Sequence, residues 1–315
     1  MILVTGESLI DMLVANEGAN TFHAVPGGSP FNVAMALGRL GAPVSFMGRF
    51  SCDHFGQLLH NSLEESGVDL SFSSRVDSLS TIGFVTQQNE NSGPDYAFYT
   101  KGTAGCELSI KDFSNPLPDW VKVIHVGSFS LAIEPFASAL DDLIFEQSHE
   151  GRLVTMDINI RPFLIEDRDS FRERVSRITK VAHLIKLSDD DLNWLHPEMN
   201  PAEACQHYLE QGAGLVVVTR GAEGVCAANR RGLVEVEAPA VTIEDTVGAG
   251  DTFQASMVAS LFEVGCFSRE SLTLLTGESI RSILERAANA AALNCSRRGC
   301  QPPTREELNA FEKIG

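Results

Sequence analysis

Short, mainly apolar runs return along the chain at 2–5, 44–47, 121–126, 153–156, 184–187 and 215–219, with helix-periodic sequence filling the intervals. A run of four to six residues with no consistent polar face cannot lie on a half-wet sheet, so each belongs to a strand covered on both sides. Strands of that kind alternating with helices predict an α/β fold: a mainly parallel central sheet flanked by helices. Two stretches, 14–26 and 81–101, break the alternation. In the second, 82–86 and 96–100 have strand character on either side of the polar 87–95, and both stretches read as β segments projecting from the sheet. No internal repeat, low-complexity tract or linker divides the 315 residues, which favours one unit over two domains.

Two helix starts can be read residue by residue. Ser29 can cap, Pro30 suits a first helical position, and Gly41 stands where a helix from Phe31 to Leu40 would stop. Asp53 opens a second helix with Phe55, Leu58, Leu59 and Leu63 on one face, closed by Gly67.

With 24 Lys and Arg against 42 Asp and Glu, the net charge of −18 argues against a nucleic-acid partner, because phosphate backbones are held by clustered cations. A phosphate site must then be built locally, from backbone N–H groups and a few basic side chains. No apolar run approaches membrane-spanning length and the chain opens directly on a strand-like segment, so the expectation is a cytoplasmic protein. Seven scattered cysteines without a Cys-x-x-Cys pair suggest buried thiols rather than disulfides or zinc ligands.

The strongest chemical signal is DTVGAGDTF, from Asp245 to Phe253, which joins a turn to an amphipathic helix bearing Phe253, Met257, Leu261 and Phe262. Gly248 and Gly250 leave the backbone bare at a helix start, where unpaired N–H groups and the helix dipole favour an anion. Asp251 in that first turn is either a dipole-stabilising cap or a base held beside the anion. No Gly-x4-Gly-Lys-Ser/Thr is present, so this is not a P-loop.

Other polar groups fall where strands end. Gly27, Gly28 and Asn32 begin the first helix; they serve an ordinary turn, or let a ligand reach the main chain beside an amide that both donates and accepts. Glu7 and Asp11 follow the first strand, as solvated acids or as acceptors for hydroxyls. Arg161, after 153–156, could meet phosphate oxygens. Lys186, Ser188 and Asp189 to Asp191 follow 184–187; the aspartates could hold Mg²⁺ through water, while Ser188 or Asp189 caps the next helix. The run from Val216 to Thr219 ends in Gly221 and Gly224, a turn ahead of a hairpin on which a nucleotide could lie.

Taken in this order, these segments resemble the ribokinase-like (PfkB) carbohydrate kinases over essentially the whole chain. GGSPFNVAMALGRLGAPVSFMGR and DTVGAGDTF match the family's two signature regions. The resemblance implies a central sheet with a small β lid, here about 13–26 and 81–101. It implies that Asp251 is the catalytic base, with Gly248, Ala249 and Gly250 forming an anion hole from the amides of Ala249, Gly250 and Asp251. It gives Asp11, Gly27, Gly28, Asn32, Phe98 and Arg161 to the sugar, and Lys186, Ser188, Thr219, Gly221, Gly224 and Asn294 to ATP. Asp191 stands for the magnesium-associated position, although the family often has Asn-x-x-Glu where this chain has Ser188-Asp189-Asp190-Asp191. A monovalent-cation (K⁺) site known in part of the family matches Asp245, Val247 and Gly299.

KLSDDD from Lys186, and FYTKGTAG from Phe98, are similar to members acting on fructose, although Gly105 stands where an Asp is frequent. The implied activity is transfer of the ATP γ-phosphate to a primary hydroxyl of a small sugar, with fructose giving fructose 6-phosphate. The alternatives are a kinase for 2-keto-3-deoxygluconate or ribose, with Arg161 or Lys101 facing a carboxylate, and a sugar sensor without turnover. A homodimer through the lid is the expected assembly.

Overall fold

The computed structural model describes residues 1–15, 21–89, 93–109, 112 and 116–313, with side chains omitted at 85–96. Its eight-stranded sheet runs, edge to edge, β14 (Gly232–Val236), β13 (Val225–Asn229), β12 (Leu215–Thr219), β11 (Leu184–Ser188), β10 (Leu153–Asp157), β9 (Val123–Gly127), β1 (Ile2–Thr5) and β4 (Val44–Met47). The six strands from β12 to β4 are parallel; β13 and β14 add an antiparallel hairpin. All six apolar runs are therefore strands of one sheet. Their side chains are almost entirely buried because one cluster packs on each face. On one face lie α1 (Ser29–Arg39), α2 (His54–Glu65), α7 (Ala249–Glu263), α8 (Arg269–Leu274) and α9 (Gly277–Cys295). On the other lie α3 (Phe136–His149), α4 (Arg168–Ile178), α5 (Asp189–Leu195) and α6 (Pro201–Gln211).

From β1 the chain moves to β4 on one side and later to β9 on the other, which makes the β1/β9 boundary the switch point of the sheet. A crevice opens there beyond the carboxyl ends of the strands. Above it, β3 (Phe22–Gly27), β2 (Leu9–Val14), β7 (Ile82–Asn89) and β8 (Gly93–Tyr99) form a separate four-stranded sheet. Both expected β stretches thus lie in one sheet. Strand β2 begins earlier than expected, at Leu9, and β7 and β8 extend into the polar segment assigned to the turn. Of the expected lid, 16–20 and 90–92 lie outside the described residues. The short β5 (Arg49–Ser51) and β6 (Ser74–Val76) pair beside α2.

Two expectations need correction. Helix α7 is not amphipathic: every residue from Asp251 to Leu261 is buried, because α1 and α9 pack along it. Ser29 does not cap α1. Gly28, at φ +105°, is the N-cap, which frees the Ser29 hydroxyl for a tertiary contact. The second start behaves as read, with Asp53 accepting from the Gly56 amide. Cys52 is exposed, unlike the buried thiols of Cys106, Cys205, Cys226 and Cys266.

Candidate active site

The starts of α1 and α7 meet in the crevice. Gly248, left-handed at φ +75°, turns the chain into α7, and the amides of Gly250 and Asp251 in the first turn have no intrahelical acceptor. The amide of Ala249 is less available, since it donates to the Thr246 carbonyl at 3.2 Å. The Asp251 side chain leaves this turn toward α1, where Ser29 Oγ donates to Oδ1 at 2.6 Å and Asn32 Nδ2 to Oδ2 at 2.8 Å. Burial raises the pKa of Asp251; the bonds from Ser29 and Asn32, and then the charges of Arg161 and Lys186, oppose that rise. The result is an oriented carboxylate, 7% exposed, on the wall of a cavity of about 660 Å³.

Opposite lies Asp11 on β2, also lining the cavity. Burial pushes its carboxyl up to about 6, with Arg161 opposing and the Asp251 charge adding. Gly27 makes room for it: a Cβ there would fall 2.3 Å from Asp11 Oδ2. A Cβ on Gly28 would meet the Glu7 carbonyl oxygen at 2.7 Å, so both glycines permit close approach of chain to chain. Asn32 spends its donor on Asp251, and its Oδ1 is buried without a partner among the described residues. A buried unpaired acceptor on a residue that lines the cavity suits a hydroxyl donor.

Glu7 has a different place from Asp11. It is fully buried, bonded through Oε2 to the hydroxyl and amide of Ser130 and through Oε1 to the amide of Ser29, so it ties the loops after β1 and β9 to the start of α1. Burial raises its pKa.

After β10, Asn159 adopts φ +42°, a left-handed conformation that Asn tolerates better than most residues. Its Nδ2 donates to Ser29 Oγ at 2.7 Å and lies 3.5 Å from Asp251 Oδ1, while its Oδ1 accepts from Arg161 Nη1 at 2.5 Å. A chain Arg161–Asn159–Ser29–Asp251 therefore runs along the cavity. Sequence reading gave Asn159 no role. It also missed the tertiary use of Ser29, and Phe163 and Cys300 on the cavity wall. An Asn close behind a strand end, as in DINIR, is a signal that could have been used; Ser29, Phe163 and Cys300 carry none for these places.

Beneath the first turn of α7, Lys186 Nζ pairs with Asp157 Oδ2 at 2.7 Å, both nearly inaccessible. Burial pushes Asp157 up to about 6 against the pull of Lys186. A Cβ on Gly250 would stand 3.6 Å from Lys186 Nζ, so this ammonium backs the bare amides instead of lining the cavity. Asp191 receives the Ile160 amide at 2.7 Å and the Ser188 amide at 2.8 Å, closing a capping box with Ser188. Both Asp191 and Ser188 line the cavity.

Thr219, beside Ser188 in the sheet, and Gly221 and Gly224 after it continue this edge but do not line the cavity. Asn294 is fully buried: it donates to the Val247 carbonyl and accepts from the Gln301 amide, both at 2.8 Å, bracing the loop before α7. Asp245 accepts from the amides of Val247 at 3.0 Å and Gly299 at 2.9 Å, which gathers Asp245, Val247 and Gly299 into one loop pair. Phe98, on β8, lines the lid side of the cavity.

The sequence model of the pfkB family carbohydrate kinases matches residues 1–307. A fructokinase of Rhizobium leguminosarum bv. trifolii is 37% identical over 284 residues, covering 90% of this chain and 86% of the relative. The structure of a fructokinase with bound ATP from Xylella fastidiosa superposes with TM-score 0.89 at 27% identity, over 99% of this chain and 98% of the other. A fructokinase from Vibrio cholerae O395 in a form holding fructose, ADP and calcium ion gives TM-score 0.84 at 26% identity, over 98% of both. A family match of nearly full length, on a fold whose crevice joins two glycine-rich helix starts around one buried acid, means that the chain belongs to the pfkB family of carbohydrate kinases.

Proposed function

We propose that this kinase transfers the γ-phosphate of ATP to the C6 hydroxyl of fructose, with Asp251 as the base. The observation that carries the reading is the Asp251 carboxylate, fixed by Ser29 and Asn32 beside the free amides of the α7 start, on the same cavity wall system as Asp11. The fructokinase relatives support fructose as the acceptor, and the ATP-bound neighbour supports the donor.

Sugar hydroxyls would donate to Asp11 and to Asn32 Oδ1, leaving the primary hydroxyl near Asp251. As the new O–P bond forms, the hydroxyl proton passes to Asp251 and the β,γ P–O bond breaks to release ADP. The amides of Gly250 and Asp251, backed by Lys186, and the Arg161 guanidinium, whose Nη1 alone is bonded among the described residues, would face the charge on the transferred group. Ser188, Thr219, Gly221 and Gly224 would lie along the nucleotide, whereas Asn294 would act by holding the loop.

Among the described residues no group of three or more His, Cys, Asp or Glu encloses a metal site. Mg²⁺ would be bound chiefly by phosphate oxygens and water, with Asp191, on the cavity wall, reaching it through water. Magnesium would supply charge neutralisation on the phosphates. The Asp245–Val247–Gly299 loop pair would hold K⁺ through main-chain carbonyls, both Asp245 oxygens being engaged by amides. Edge strands β3 and β8 of the lid sheet suit pairing with a second copy, and among the described residues no helix is long and apolar enough to cross a membrane.

Asp251→Asn tests the reading. Turnover measured by ADP release should fall by about 10²–10⁴ while fructose affinity measured by calorimetry stays within a few-fold. Near-normal turnover in this variant would remove Asp251 from the chemistry.

A further inference from the structure

A second cavity, of about 890 Å³, lies beside the first, between the base of the lid, the loop after β10 and α4. One described residue lines both: Phe163. It sits on the short turn Pro162–Leu164, whose backbone is pinned by bonds from the Leu164 amide to the Arg161 carbonyl and from the Ile165 amide to the Pro162 carbonyl. Its ring stacks on Phe98, with centroids 5.3 Å apart and planes at 25°, and Phe98 in turn meets the edge of Phe129. Gly83, beside Phe98 across β7 and β8, allows this seat, since a Cβ there would come within 2.6 Å of the Phe98 ring. The two stacked rings stand on the lid side of the catalytic cavity, where Asp11 marks the acceptor end, away from the α7 start.

We propose that Phe163, seated on Phe98, is the residue that limits the acceptor to a single sugar ring. Its ring is the partition between the catalytic cavity and the neighbouring one, and the argument rests on the fructose-kinase reading only for which sugar fills the first. Beyond the partition the walls carry Glu107, Glu134, Glu166, Asp167 and Glu173 against Lys101, Arg174 and Arg177, with Arg174 occupied by Glu134 and Asp141 and Arg177 by Asp141. An acid-rich, hydrogen-bonding wall repels an anion and suits an uncharged polyol. With the ring removed, the second unit of a disaccharide would enter that space.

Phe163 is 46% exposed, so Phe163→Ala should fold, and Phe163→Trp keeps a larger partition. The test measures kcat and KM for fructose and for two fructosyl disaccharides with the fructose C6 hydroxyl free, sucrose and turanose. Wild type should discriminate strongly against both disaccharides. Phe163→Ala should narrow that ratio of kcat/KM by about tenfold or more for at least one, through a lower disaccharide KM at nearly constant fructose kcat, and Phe163→Trp should retain the wild-type ratio. An unchanged ratio in a Phe163→Ala protein with wild-type melting temperature overturns the proposal. So does a proportional loss on fructose and disaccharide alike, which would make the ring a general acceptor contact, and so does wild-type turnover of the disaccharides at the monosaccharide rate. If Phe163→Ala melts early, Phe163→Leu takes its place under the same criteria. If wild type prefers another monosaccharide, the fructose reading fails separately and the ratio is taken with that sugar.

Discussion

Gly248 cannot carry a side chain, for two independent reasons. Its φ of +75° costs an L-residue about 1–2 kcal/mol, and a Cβ there would stand 2.3 Å from Cys300 Sγ and 2.9 Å from Cys300 Cβ. Gly248→Ala should therefore lower the melting temperature and, by shifting the amides that follow, lower kcat more than it raises the KM for sugar. Adding Cys300→Ala should restore part of the stability, since it removes the nearer atom. Cys300 shows why residue-scale reading stops where it does. Gly248 and Asp251 stand in one contiguous motif whose chemistry follows from a bare backbone at a helix start, but Cys300 reaches the same turn from about fifty residues away with nothing in its neighbours to announce it. Ser29 was visible only as a capping residue. Its donation to Asp251 depends on two distant helices meeting, which no local spacing encodes.

At the level of elements, the carboxyl ends of β10 and β11 deliver Asp157 and Lys186 as a buried ion pair under the start of α7. Removing one member leaves an uncompensated charge without water, so Lys186→Met should destabilise by about 3–5 kcal/mol in urea unfolding. The double variant Lys186→Met, Asp157→Leu should recover much of that stability without recovering turnover, because the positive charge behind the bare amides stays absent. The strands themselves were legible: β1, β4 and β12 end where the apolar runs end, since burial on both faces keeps them mainly apolar up to the sheet edge, with the buried Ser45 of β4 hydrogen-bonded to Asp69. The lid was less legible. Strand β2 starts at Leu9, directly after the loop holding Glu7, and polar residues extend through β7 to Asn89, because a sheet outside the core tolerates polar side chains. Helix α7 misled in the opposite direction. Its polar residues Thr252, Gln254, Ser256 and Ser260 suggest a wet face, yet all four are buried, Gln254 reaching His125 on β9 and Ser256 facing the Arg286 carbonyl on α9.

Across the whole molecule, burial raises the carboxyl pKa of Glu7, Asp11, Asp157 and Asp251 around one crevice, in a chain of net charge −18. For a group whose folded pKa lies above its unfolded one, the associated stability is present at low pH and lost as pH rises through the folded value. For Asp11 and Asp157 that loss runs from about 4 to about 6, as the ionised forms come to occupy a site that solvates them poorly. Carboxylates held down by hydrogen bonds act in the opposite sense: Asp53, pushed to about 2 by the Gly56 and Ser80 amides despite some burial, stabilises above its ordinary value and loses that contribution as pH falls. The ligand-free enzyme should thus be most stable near pH 4, with melting temperature falling between about pH 4 and about pH 6 and levelling above that. Asp11→Asn isolates one contribution. The variant should be more stable than wild type by about 1–3 kcal/mol at pH 7.5 and no different at pH 4, while its fructose KM rises because the carboxamide replaces one of the two acceptor oxygens. Paired thermal melts at the two pH values check the sign: equal melting temperatures at pH 7.5 would mean that Asp11 is well solvated in the open crevice, and that sugar binding relieves no electrostatic cost there.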